Sequence, residues 1–211
     1  LNDDYSVVDH SISIAGLNID KGNNEEVSEI FVATDATGLY NGTTCNLTAV
    51  RWDEPCNNVI GRARNKYYVK DDKLILTLNN VSGVTQIITI DLHAFNGSFK
   101  KIICDSANFT SNRDLSDNSF LFSNWLFYVA VHKEELLFKV FNAETGATLK
   151  EFITDKRDPI SYKSGPFRKI VGDVDEEISF DTRHMLGKLN VLRTGVGVSL
   201  NDNDELEVMI G

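Results

Sequence analysis

Two short acidic stretches, DVDEE at 173–177 and NDNDE at 201–205, bunch oxygen ligands of the kind calcium takes, and both interrupt β-type sequence. A helix-loop-helix calcium site needs a glycine midway round its loop and a closing glutamate, and neither stretch supplies both in step. They read as solvated turns, with calcium as the competing reading, so metal binding stays open. A glycosidase would need two carboxylates about 5 to 9 Å apart across a groove, and no pair stands out by spacing. The four histidines, His10, His93, His132 and His184, are isolated in sequence, and His93 and His132 sit at strand ends, where a structural or solvated role is expected. None of them neighbours a serine or cysteine in a nucleophile motif.

The chain has no G-x-S-x-G, H-E-x-x-H, Walker loop or G-x-G-x-x-G. Gly195 and Gly197 lack the third glycine and lie between strands, so a nucleotide site is not expected. Cys45, Cys56 and Cys104 form no C-x-x-C pair, which removes the usual zinc and redox patterns, although a single Cys45–Cys56 disulfide is compatible with the spacing. With no assembled nucleophile, base or metal motif, a non-enzymatic protein without a cofactor is expected. Aromatic side chains offer a binding role instead. Trp52, Tyr67, Tyr68, Trp125 and Tyr128 could stack on sugar rings. Trp52, just before Asp53, Glu54 and Pro55, is the candidate glycan contact, whereas Trp125 lies in the most apolar run and is expected in the core.

Charge narrows the partners. The formal charge of −10 over 211 residues argues against a phosphate-neutralising surface, so no nucleic-acid partner is expected. The local basic run Arg62, Arg64 and Lys66 reads as a solvated strand end. The longest apolar run, FLFSNWLFYVAV at 120–131, is interrupted by Ser123 and Asn124, and its twelve residues are too few for a membrane helix of about twenty. The chain starts at Leu1, which fits either a processed product or a piece of a longer one. Asn-x-Ser/Thr sequons at Asn41, Asn46, Asn80, Asn96 and Asn108 suggest a secreted or surface glycoprotein, although an Asn- and Thr-rich β protein also makes such triplets by chance.

The elements that must position these residues are strands. SVVDHSISIAGLNI, EIFVAT, CNLTAVRW, KYYVKDDKLILTL, VTQIITIDLHAF and GSFKKIIC alternate with period two, and Gly, Asn and Asp punctuate them. Turn signals about every ten residues are what sandwiches show. An all-β fold is therefore expected, with a β-sandwich unit over 1–110 and a second β-rich unit over 111–211. The boundary is placed in SANFTSNRDLSDNS at 106–119, where eleven of fourteen residues are Ser, Asn, Asp, Thr or Arg.

In the second unit, the run 120–131 is apolar on both faces and reads as one strand buried between two layers. A hairpin is expected from strands 135–141 and 147–153 around a turn through Asn142 to Gly146. FRKIV, EEISF and KLNVL read as further strands, although Met185, Leu189 and Leu192 in DTRHMLGKLNVL have helical spacing, weakened by Gly187. The chain closes with a strand pair around the second acidic turn.

The stretch from KYYVKDDKLILTL to CDSANF, residues 66–109, resembles the later part of the amino-terminal β-sandwich of phage baseplate and tail-fibre proteins. The terminal GVGVSLNDNDELEVMIG, residues 195–211, is similar to shaft repeats of phage and viral fibres, without their repeat series. The resemblance implies a structural protein of a phage tail, baseplate, fibre or capsid surface, in the virion or outside the cell. It also implies a homo-oligomer, a trimer, that links other virion proteins and presents a surface to a host glycan. The apolar residues of the terminal pair, Val196, Val198, Leu200, Leu206, Val208 and Ile210, are the expected oligomer contact, since burying such a side chain is worth about 1.5 to 3 kcal/mol. The alternative is a secreted carbohydrate-binding β-sandwich glycoprotein.

Overall fold

The computed structural model describes residues 47–51, 55–104, 116–132, 134–171 and 174–211. The protein is all-β, with thirteen strands and two helices among the described residues. A five-stranded sheet comes first: β1 (Leu47–Val50), β2 (Asn65–Lys70), β3 (Lys73–Leu78), β4 (Val84–Asp91) and β5 (Asn96–Ile103), hydrogen-bonded in that order. β1 runs parallel to β2 and the others are antiparallel. The β2–β3 reversal is made by Asp71 and Asp72 at φ of 48° and 57°, the left-handed pair that a two-residue hairpin turn requires. A short helix α1 (Asn58–Arg62), capped by the Asn57 side chain, separates β1 from β2.

The second sheet is a four-stranded antiparallel meander of β6 (Ser116–Phe122), β7 (Trp125–Val131), β8 (Glu135–Asn142) and β9 (Thr148–Asp155). The run 120–131 is thus two strands and not one. Ser123, at φ 54°, turns the chain back, and Phe120, Leu121 and Phe122 pair with Phe127, Leu126 and Trp125. The residues flanking the reversal, Phe120 to Phe122 and Trp125 to Val131, are apolar on both faces, so periodicity gave no sign of it. The β8–β9 hairpin stands where the sequence placed it, with Gly146 at φ +76°.

Two hairpins and a helix complete the described chain: β10 (Phe167–Val171) with β11 (Val174–Ile178), α2 (Thr182–Leu192), and β12 (Val196–Leu200) with β13 (Leu206–Ile210). Asp181 caps α2 by accepting from the His184 amide, so KLNVL is helical and not a strand. One apolar cluster draws on both sheets, α2 and β12, with Val50, Tyr68, Ile87 and Ile102 packed among Phe120, Leu126, Tyr128, Leu136, Leu186, Val196 and Val198. The two halves expected as separate units therefore share a core. Across the other face of the first sheet, Leu76, Leu78, Ile88 and Ile90 form a smaller cluster.

Candidate functional site: a buried polar seam

A set of polar side chains is buried beside the shared apolar core where the two sheets meet. Lys66 follows the strand alternation of β2 onto the same face as Tyr68, and both are fully buried. Its ammonium donates to the Asn118 Oδ1 at 2.9 Å, to the Ser119 carbonyl at 2.9 Å and to the Ala63 carbonyl. All three N–H donors are thus matched. Asn118 extends the link, for its amide nitrogen donates to the carbonyls of Gly61 and Thr194, each at 3.2 Å. One buried amide therefore joins the end of α1, β6 and the chain leading into β12.

A second node lies beside it. The Asn79 Oδ1 accepts from the Thr85 and Ser119 hydroxyls at 2.8 and 2.9 Å, while its nitrogen donates to the Arg64 carbonyl at 2.8 Å. The Asp117 Oδ2 accepts from the Gly83 amide at 2.6 Å and from the Tyr128 hydroxyl at 3.0 Å. Arg64 approaches the other carboxylate oxygen at 3.9 Å. The Tyr68 hydroxyl accepts from the Leu121 amide at 3.1 Å, another link from β2 to β6.

Burial shifts the titration of the seam. It pushes the Lys66 ammonium down to about 7, opposed by the nearby Cys56 thiol, while the three surrounding oxygens suit the charged form. Burial also raises the Asp117 carboxyl, the Cys56 thiol and the Tyr68 hydroxyl, and takes the Cys104 thiol up to about 12. Close packing accompanies the burial, for a Cβ on Gly197 would stand 2.5 Å from the Cys56 sulfur.

A lysine with a pKa near neutrality is the kind that serves as a base or forms Schiff bases, but such work needs a free lone pair and an approach path. Lys66 has three acceptors on its nitrogen and no exposure to solvent. The arrangement suits a clamp. The basic run was expected to be a solvated strand end, and Lys66 overturns that. Its burial is tolerated because Asn118 and Ser119, from the polar stretch expected as a linker, supply the acceptors.

The sequence-derived candidates lie elsewhere. Trp52 falls outside the described residues, as do Asp173, Cys45, His10 and the sequons at Asn41, Asn46 and Asn108. Cys56 is a free thiol. Trp125, expected in the core, is 40% exposed at the start of β7. Asp175 and Glu176 meet Arg168 and Lys169 across the β10–β11 hairpin, each at 2.8 Å. In the last turn, the Asn201 Oδ1 accepts from the Asn203 and Glu205 amides at 2.9 and 3.0 Å, which organises the acidic loop from within. Among the described residues, no group of three or more His, Cys, Asp or Glu is arranged to hold a metal.

The terminal strands divide their apolar residues. Val196 and Val198 are buried in the shared core, and Val208 and Ile210 pack against it partly buried. Leu200 and Leu206, paired in register, are exposed at 48% and 40%. Of the two described sequons, Asn96 is exposed at the start of β5, whereas the Asn80 side-chain nitrogen is buried. Comparison of the chain with protein-family models, curated proteins and solved structures finds no match.

Proposed function

We propose that the chain is a non-enzymatic assembly component of a virion surface, in a phage tail, baseplate, fibre or capsid. The observation that carries the non-enzymatic part is the saturation of Lys66: a buried amine whose pKa is lowered by burial is committed to holding two sheets together. The virion setting is supported by the resemblance of residues 66–109 and 195–211 to phage structural proteins. In this reading the protein is a homotrimer that contacts other virion proteins and a host glycan.

The contact between copies is assigned to the tip of the terminal hairpin, where Leu200 and Leu206 stand exposed side by side. The outer strands β5 and β9 carry Lys100, Lys101 and Lys150, charges that discourage edge-to-edge addition there. Sedimentation equilibrium on the full chain and on a Leu200→Ser/Leu206→Ser variant tests the assignment. A trimer that dissociates in the variant supports it. A full chain that is monomeric at micromolar concentration, or a variant that keeps the assembly, counts against it.

The exposed Asn96 sequon favours a second reading, a secreted carbohydrate-binding glycoprotein. Expression through a eukaryotic secretory pathway would then give a glycan at Asn96 and none at Asn80, read as a mass shift removed by an amidase specific for N-glycans.

A further inference from the structure

A cleft of about 590 Å³ lies between the segment that follows β9 and the amino end of α2, within the size range of small-molecule sites. Its lining places Lys156, Arg157, Lys163 and Arg183 against Asp158 and Asp181, a local positive excess on a chain whose net charge is −10. Several of these charges are already engaged. Arg157 holds Asp155 through two contacts of 2.7 and 3.1 Å, Lys156 is paired with Glu134, and Asp181 is turned onto His184. Among the described residues, Lys163 donates to the Gly165 carbonyl, at 2.8 Å, and stands 5.4 Å over the Phe167 ring. For Arg183, no ion pair is formed among the described residues.

The cleft also has apolar walls, in Phe167, Phe180, Pro159 and Ile160. Its two sides are tied together, because the buried Thr182 hydroxyl donates to the Asp158 carbonyl at 2.6 Å. Two cations that form no ion pair among the described residues, aromatic walls and a hydrogen bond across the cleft together suit one kind of ligand. We infer that this cleft binds a small carboxylate or phosphate that carries a ring, with Lys163 and Arg183 on the charged group and Phe167 and Phe180 against the ring. The inference is independent of the oligomer reading, since the hairpin tip contributes nothing to the lining.

The test is an NMR titration of the ¹⁵N-labelled full chain with phenyl phosphate, glucuronate and inorganic phosphate in parallel. The expected result is saturable movement of the Phe167, Thr182 and Arg183 amides, with at least one ring-bearing anion binding about tenfold tighter than inorganic phosphate. Whichever ring-bearing anion binds tighter distinguishes an aromatic ligand from a sugar acid. Arg183→Glu and Lys163→Glu should each weaken that binding by about tenfold, while Lys150→Glu on β9 leaves it unchanged. No saturable movement with any of the three, equal affinity for inorganic phosphate, or unchanged binding in both cleft variants would overturn the inference.

Discussion

The Lys66 ammonium in β2 and the Asn118 Oδ1 in β6 lie 2.9 Å apart across the boundary between the two sheets, and both side chains are out of contact with solvent. Removing either partner leaves buried polar atoms of the other side unmatched. Asn118→Leu and Lys66→Met should each destabilise the fold by about 1.5 to 3 kcal/mol, the range for buried hydrogen bonds to a charged group. The double variant should lose less than the sum, because each single change already breaks the shared bond. Urea denaturation of the four chains measures this, and strict additivity would show that the contact carries no coupling.

The same lysine sets a pH dependence. The folded chain releases the Lys66 proton from about 7 upward, whereas the unfolded chain keeps it to about 10.4. The unfolded state therefore binds more protons above neutrality, and stability rises with pH there, by at most about 1.4 kcal/mol per pH unit. The thiols of Cys56 and Cys104, raised by burial, act in the opposite sense once their unfolded counterparts ionise near about 8.5. The Lys66 contribution is thus visible between about pH 7 and 8.5. Denaturation midpoints should climb across that window in the native sequence and stay flat in Lys66→Met; equal slopes would contradict the assignment.

Gly197 gives a packing prediction. Its missing side chain makes room for the Cys56 sulfur, since an added Cβ would lie 2.5 Å from it. Gly197→Ala should cost about 1 to 3 kcal/mol through overpacking. Cys56→Ala in the same chain should return part of that loss by removing the sulfur. Thermal unfolding of the single and double variants reads the effect, and a double variant no more stable than Gly197→Ala alone would place the strain elsewhere.

The local elements were legible where a cap or turn residue fixed them. Gly146 marked the β8–β9 hairpin and the Asn201 to Glu205 turn marked the last pair, whereas the helical spacing from Met185 to Leu192 only hinted at α2, because KLNVL also reads as a strand. Ser123 was harder to read, because apolar residues on both sides of it hide a two-residue reversal. Lys66 was not legible at all. A lysine in a strand reads as solvent-facing, and two of the three oxygens that make its burial tolerable come from residues 52 and 53 positions away. Asp117, Asn118 and Ser119 were hidden for the same reason: in composition they are a linker, and only the packing of β6 against β2 turns them into a seam.

The central claim is that Lys66 is a clamp and not a reactive amine. Brief treatment of the native chain with an amine-acylating reagent at about pH 8, followed by peptide mass spectrometry, tests it most directly, because at that pH an accessible lysine of pKa near 7 would be the most nucleophilic in the chain. The account predicts that exposed lysines such as Lys150 and Lys101 are modified while Lys66 stays unmodified until the protein is unfolded. Rapid acylation of Lys66 in the folded chain, ahead of those exposed lysines, would contradict it.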